Sequence, residues 1–135
     1  MKKAYFLLVL ILTLFTLCSC DGYVNSYAAT IMITSCHGNE ARMEFDTFKG
    51  TYHFKLRRED STSHTLDCKA SLSQGEMHVS IGVDGEKELL RTVQSGDACD
   101  ETITLDKKYD NEKTIYVILE TTEKCEDGDF SFAYN

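Results

Sequence analysis

The stretch EMHVSIGVDGEKELLRTVQ, residues 76–94, limits the fold more than any other part of the chain. Met77, Val79, Ile81 and Val83 recur at every second position, with His78 and Ser80 between them, so an extended strand has one apolar and one polar side. A helix would scatter the same residues around its circumference. Asp84-Gly85 follows at once and supplies the positive φ angles that a two-residue hairpin turn requires, so EKELLRTVQ returns as the partner strand.

The same period of two runs through the rest of the chain. HTLDCKASL puts Leu66, Cys68, Ala70 and Leu72 on one face, opposite Thr65, Asp67, Lys69 and Ser71, and so aims Cys68 at the core. In ARMEFDTFKGTYHFKLRR, Met43 and Phe45 share a face, and Tyr52, Phe54 and Leu56 form a further run after Gly50, with His53 and Lys55 outward. ETITLD offers Ile103 and Leu105, KTIYVILETT offers Ile115, Val117 and Leu119, and DFSFAYN closes with Phe130, Phe132 and Tyr134, while DKKYDNE and EKCEDGD read as charged loops. These runs predict an all-β chain, an antiparallel β-sandwich or jelly-roll of about eight strands after an N-terminal signal helix. No helical stripe, repeat or linker after residue 20 supports a second domain.

The N-terminus has a different character. Lys2 and Lys3 precede the apolar run Ala4 to Leu17, which is too short for a stable membrane span and reads as a signal peptide. Leu17, Cys18, Ser19 and Cys20 resemble a bacterial lipobox, although Cys18 stands where Ala, Ser, Thr or Val is usual. The resemblance implies a signal peptide over 1–19, acylation of Cys20, a short tether over 20–29 and a sandwich domain over 30–135. It also implies an exported protein on the bacterial cell membrane or envelope, with membrane lipid as a partner. Ordinary secretion, with cleavage after Ser19 or Cys20 and no lipid, is the alternative.

Loss of residues 1–19 removes two lysines and no acid, taking the net charge from −8 to −10. An acidic domain without a clustered basic surface excludes nucleic acid as a partner class, and leaves attachment to anionic lipid to the acyl chain. Cys36, Cys68, Cys99 and Cys125 remain besides Cys20, an even number that reads as two disulfides in a small exported domain. Three pairings are open. Cys36 with Cys68 and Cys99 with Cys125 are the simplest closures for a meander.

The segments FKGTYHFKL, GEMHVSIGVDGEKEL, DETITLD, KTIYVILE and GDFSFAYN together resemble small bacterial lipoproteins whose mature part is one jelly-roll-like sandwich, related in style to pre-peptidase C-terminal domains. DNEKTIYV lacks the glycine those families carry before the penultimate strand. The four cysteines and the ending GDFSFAY are similar, more distantly, to a CUB-like sandwich, without its Gly/Pro-rich start.

Candidate chemistry is sparse. His37, His53, His64 and His78 are the histidines, and no G-x-S-x-G elbow, HExxH pair, P-loop or dinucleotide fingerprint is present, so no catalytic residue is assigned and the chain reads as a non-enzyme. Asp97 and Asp100 flank Cys99, and Glu126, Asp127 and Asp129 cluster beside Cys125. A Cys99–Cys125 bridge would join the two loops into a calcium candidate. Otherwise no cofactor is expected. Tyr52, Tyr109, Tyr116 and Tyr134 offer rings for contact, and Tyr116 is the foremost binding candidate because Ile115, Val117 and Leu119 turn inward around it. The function expected is a non-catalytic binding or structural module for a protein or glycan. The alternatives are an inhibitor or immunity-type lipoprotein, which an exposed apolar patch would mark, and a hydrolase, which a groove of histidine and carboxylates would mark. A smooth charged surface would mark a spacer.

Overall fold

The computed structural model describes residues 22–59 and 64–135, so the segment 1–19 expected to be a signal peptide, and Cys20, lie outside the described residues. The fold is built on two long strands, β3 (Glu40–Arg57) and β8 (Thr114–Tyr134), paired antiparallel from Glu40 opposite Ala133 to Arg57 opposite Thr114. Their two halves take different neighbours. The first half of β3 pairs with β2 (Ile33–His37), and the last half of β8 pairs with β4 (Thr65–Ser71), which carries β7 (Cys99–Thr104) on its other side. The first half of β8 pairs instead with β5 (Glu76–Val83), which carries β6 (Glu86–Gln94). One antiparallel sheet of eight strands therefore forms both layers of a sandwich, with β3 and β8 common to both.

The passage between layers happens at one irregularity. Phe48 faces Cys125 and Gly50 faces Thr121, so Lys49 alone opposes residues 122–124, and the surplus on β8 bends the pair. Gly50 sits there at φ 123°, and a Cβ on it would come within 2.2 Å of the Ser26 carbonyl oxygen in β1 (Ser26–Thr30), which pairs with Thr47–Thr51. Between the layers lie Met43, Phe45, Phe54, Leu56, Leu66, Met77, Val79, Ile81, Ile115, Val117, Leu119, Phe130 and Phe132, all buried. Asp84 (φ 54°) and Gly85 (φ 81°) make the β5–β6 turn read from the Asp-Gly dipeptide.

Two expectations need correction. EKCEDGD, read as a charged loop, is strand, and DFSFAYN continues it as the end of β8. Its alternation is hidden because an inward position is taken by Gly128, whose partner Phe45 lays its ring where a side chain would stand, 2.1 Å from an added Cβ. The tether over 20–29 is also structured from Ser26 on, as strand β1.

The cysteines do not pair as the meander predicts, and all four described thiols are free. β4 has β7 and β8 as its neighbours rather than β2, so Cys68 meets Cys99 with the sulfurs 3.9 Å apart, not Cys36. The exposed Cys36 donates to the Lys55 carbonyl at 3.1 Å, and Cys125, at the bend of β8, donates to the Glu76 carbonyl at 3.3 Å. Burial, and then the neighbouring Cys99, push the Cys68 thiol up to about 12.

Candidate functional site

A trough of about 450 Å3 crosses the outer face of the layer β2-β3-β8-β4. Its origin is side-chain size. The outward residues of β8 here are small, Ser131 and Ala133, while its neighbours on both sides carry long polar ones. Register sets them in two rows. Glu40 and Asp67 flank Ala133, and Arg42 and Lys69 flank Ser131. His37, paired with Glu40, and Ser35, paired with Arg42, extend the rows onto β2. A more polar depression of about 930 Å3 shares His37 and Glu40 and continues to Arg57 and Lys113.

The charges of the trough are partly spoken for. Arg42 pairs with Glu44 and, at 3.2 Å, with Asp129, and Lys69 stands 3.8 Å from Asp100. Asp67 accepts from Thr102 Oγ1 at 2.6 Å through one oxygen and from Asn135 Nδ2 at 3.1 Å through the other. His37 and Glu40 are both exposed, and among the described residues neither side chain has a hydrogen-bond or ion-pair partner. This is the groove of histidine and carboxylates named above as the mark of a hydrolase. Among the described residues His37 makes no hydrogen bond to a hydroxyl or thiol, the contact by which a histidine base activates a nucleophile.

The expected calcium loops do not close on one another. Asp127 accepts from Ser73 Oγ at 2.8 Å, Glu126 pairs with Lys124 at 3.1 Å, and Asp97 belongs to the β6–β7 turn. Asp100 and Asp129 share a shallow depression across β4, with Lys69 in the same depression. Among the described residues no group of three or more His, Cys, Asp or Glu is placed to hold a metal ion.

Tyr116 does lie on the outer face of its strand, and there it is covered. Tyr23 packs on it with ring centroids 4.7 Å apart, and His53 joins at 5.9 Å from Tyr23 and 5.8 Å from Tyr116. Residues 22–25 thus form a strap across β3, β8 and β5, and beneath it Ile118, outside the core between the layers, is only 2 % exposed. Of the other tyrosines, Tyr134 is buried beneath the Arg58 guanidinium, 4.8 Å from its ring, and Tyr109 is buried with its hydroxyl donating to Glu88 at 3.0 Å. His78, on the polar side of β5, is half-buried and bonded to Thr92 at 3.1 Å.

Glu40, Arg42, Asp67, Lys69 and Ser131 were not singled out by sequence as a site. Each reads there as one polar member of an alternating strand, and only the adjacency of β3, β8 and β4 gathers them. The small outward pair Ser131 and Ala133, in a strand otherwise rich in aromatics, is the one local signal.

No protein-family model matches the chain, and no curated protein sequence matches it. Among solved structures it is similar to a mutant of CBM29-2, a family 29 carbohydrate-binding module, at 15% identity over 84% of this chain and 73% of that one, with a TM-score of 0.40. It is also similar to the cupin domain of Drosophila melanogaster CENP-C, at 14% identity over 87% and 86%, with a TM-score of 0.33.

Proposed function

We propose that the chain is an exported, non-catalytic binding module, held at the membrane face through an acylated Cys20, that seats a glycan in the trough over Ser131 and Ala133. One observation carries this reading. A shallow, open groove is lined by carboxylate, guanidinium, ammonium, imidazole and hydroxyl groups, and two of its side chains, His37 and Glu40, are uncommitted. A polyhydroxylated ligand donates and accepts along its whole length, and such a mixed row can satisfy it without a deep apolar pocket.

Amide shift mapping against a panel of β-glucan, mannan and peptidoglycan oligosaccharides tests the seat. A binding oligosaccharide shifts residues 35–42, 67–69 and 131–133, and Glu40→Ala or Lys69→Ala weakens it about tenfold, the scale of one lost charged hydrogen bond. Silence across the panel, or shifts elsewhere, sinks the glycan reading. Glu40 and Asp67 stand on either side of β8, both opposite Ala133, with their backbones about 9.5 Å apart, and glycoside hydrolysis uses a pair of facing carboxylates. Release of reducing ends during the same incubation, abolished by Glu40→Gln, would move the assignment to a hydrolase.

The inhibitor reading has its own observation. Ile31 and Ile33 are 72% and 63% exposed at the β1–β2 turn, and Ile31 holds φ 46°, an uncommon conformation for a β-branched residue. A protein that binds the domain and loses affinity on Ile31→Ser with the trough variants unaffected would select that edge instead.

A further inference from the structure

The first described residues are fastened to the sheet. Gly22 lies against the β5–β6 turn so closely that a Cβ on it would stand 3.0 Å from the Gly85 Cα. Tyr23 donates its hydroxyl to the Glu86 carbonyl at 2.6 Å and fits over Gly82, where a Cβ would meet the phenol oxygen at 2.4 Å. Asn25 Oδ1 accepts the His53 amide at 2.9 Å, and from Ser26 the chain is already strand β1. From Gly22 on, the described chain therefore lies on the sheet with no slack.

Asp21 alone separates Gly22 from Cys20. An extended chain covers at most about 3.6 Å per residue, so the Cα of Cys20 stays within roughly 7 Å of that of Gly22. We infer that an acylated Cys20 holds the domain in one orientation, with the β5–β6 turn resting on the lipid headgroups, rather than letting it swing on a tether. The inference rests on the acylation proposed above.

The turn so presented is polar. Asp84, Gly85, Glu86 and Lys87 are all exposed there, two carboxylates against one ammonium. The acyl chain then supplies the affinity, and the turn lies on the headgroups of a zwitterionic surface without entering the hydrocarbon. The trough, on the outer face of the other layer, is left clear of both strap and turn.

The test uses the acylated protein extracted from membranes and returned to phosphatidylcholine vesicles that carry a headgroup quencher. In a Cys36→Ser background, a fluorophore is placed on Glu86→Cys or on Ser95→Cys, at opposite ends of the β5–β6 hairpin. Strands of this length put those sites roughly 25–30 Å apart. The label at 86 should be quenched several-fold more than the label at 95. Adding Tyr23→Ala should reduce that difference while the protein stays on the vesicles. Equal quenching of both labels on vesicle-bound protein overturns the orientation alone. Protein that fails to cofloat with vesicles overturns the acylation, and the orientation with it.

Discussion

Cys68 and Cys99 hold their sulfurs 3.9 Å apart at diagonal positions, since Cys68 lies opposite Glu101 and Cys99 opposite Ala70. Diagonal neighbours have Cα atoms about 7–8 Å apart, beyond the usual disulfide span, but Cys99 is the first residue of β7, an edge strand that can draw inward to close the gap. Folding in a glutathione redox buffer should therefore join this pair. The two thiols release two protons and pass two electrons to oxidised glutathione, leaving two reduced glutathiones. Burial and the neighbouring Cys99 hold the folded Cys68 thiol up at about 12, so it supplies little thiolate and oxidation of the folded protein should be slow. Intact mass should rise by two hydrogens on reduction, with Cys36 and Cys125 alkylated without reductant once the chain is unfolded. A gain of four hydrogens would show that all four thiols pair, and an unchanged mass that none do.

Among elements, β8 decides most. It runs unbroken through the charged segment around Cys125, and its inward period survives at Gly128 only because Phe45 fills the vacant space from the neighbouring strand. Gly128→Ala drives a methyl into that ring. We expect a loss of about 2–3 kcal/mol, in the range of overpacked cores, read from urea midpoints at unchanged m-value. Pairing it with Phe45→Leu should recover part of the loss, and an additive double variant would refute the contact as its cause. The merging of KTIYVILETT with DFSFAYN was illegible in sequence for the same reason. A period of two needs a side chain to be seen, and here the marker sits on β3.

At the scale of the molecule, the layers share β3 and β8, so neither can lose its strands without opening the other. Thermal unfolding should be a single transition with equal calorimetric and van't Hoff enthalpies in the reduced protein, and two resolved transitions would contradict the shared-strand architecture. The trough belongs to this scale as well. His37, Glu40, Arg42, Asp67, Lys69 and Ser131 come from four strands, and they form one groove because β2, β3, β8 and β4 lie side by side in one layer.

Alternation of apolar and polar residues determined that this chain is built of strands, and which side of most of them is buried. Met77, Val79 and Ile81, or Leu66, Cys68 and Ala70, turn inward as their spacing requires, and Asp84-Gly85 makes the hairpin turn. Which strands become neighbours was left to the tertiary structure. A period of two names a face and never a partner, since β5 serves β8 as readily as any other strand with an apolar side. Long-range packing makes that choice, and with it the meeting of Cys68 with Cys99, the packing of Tyr23 on Tyr116, and the groove over Ser131 and Ala133.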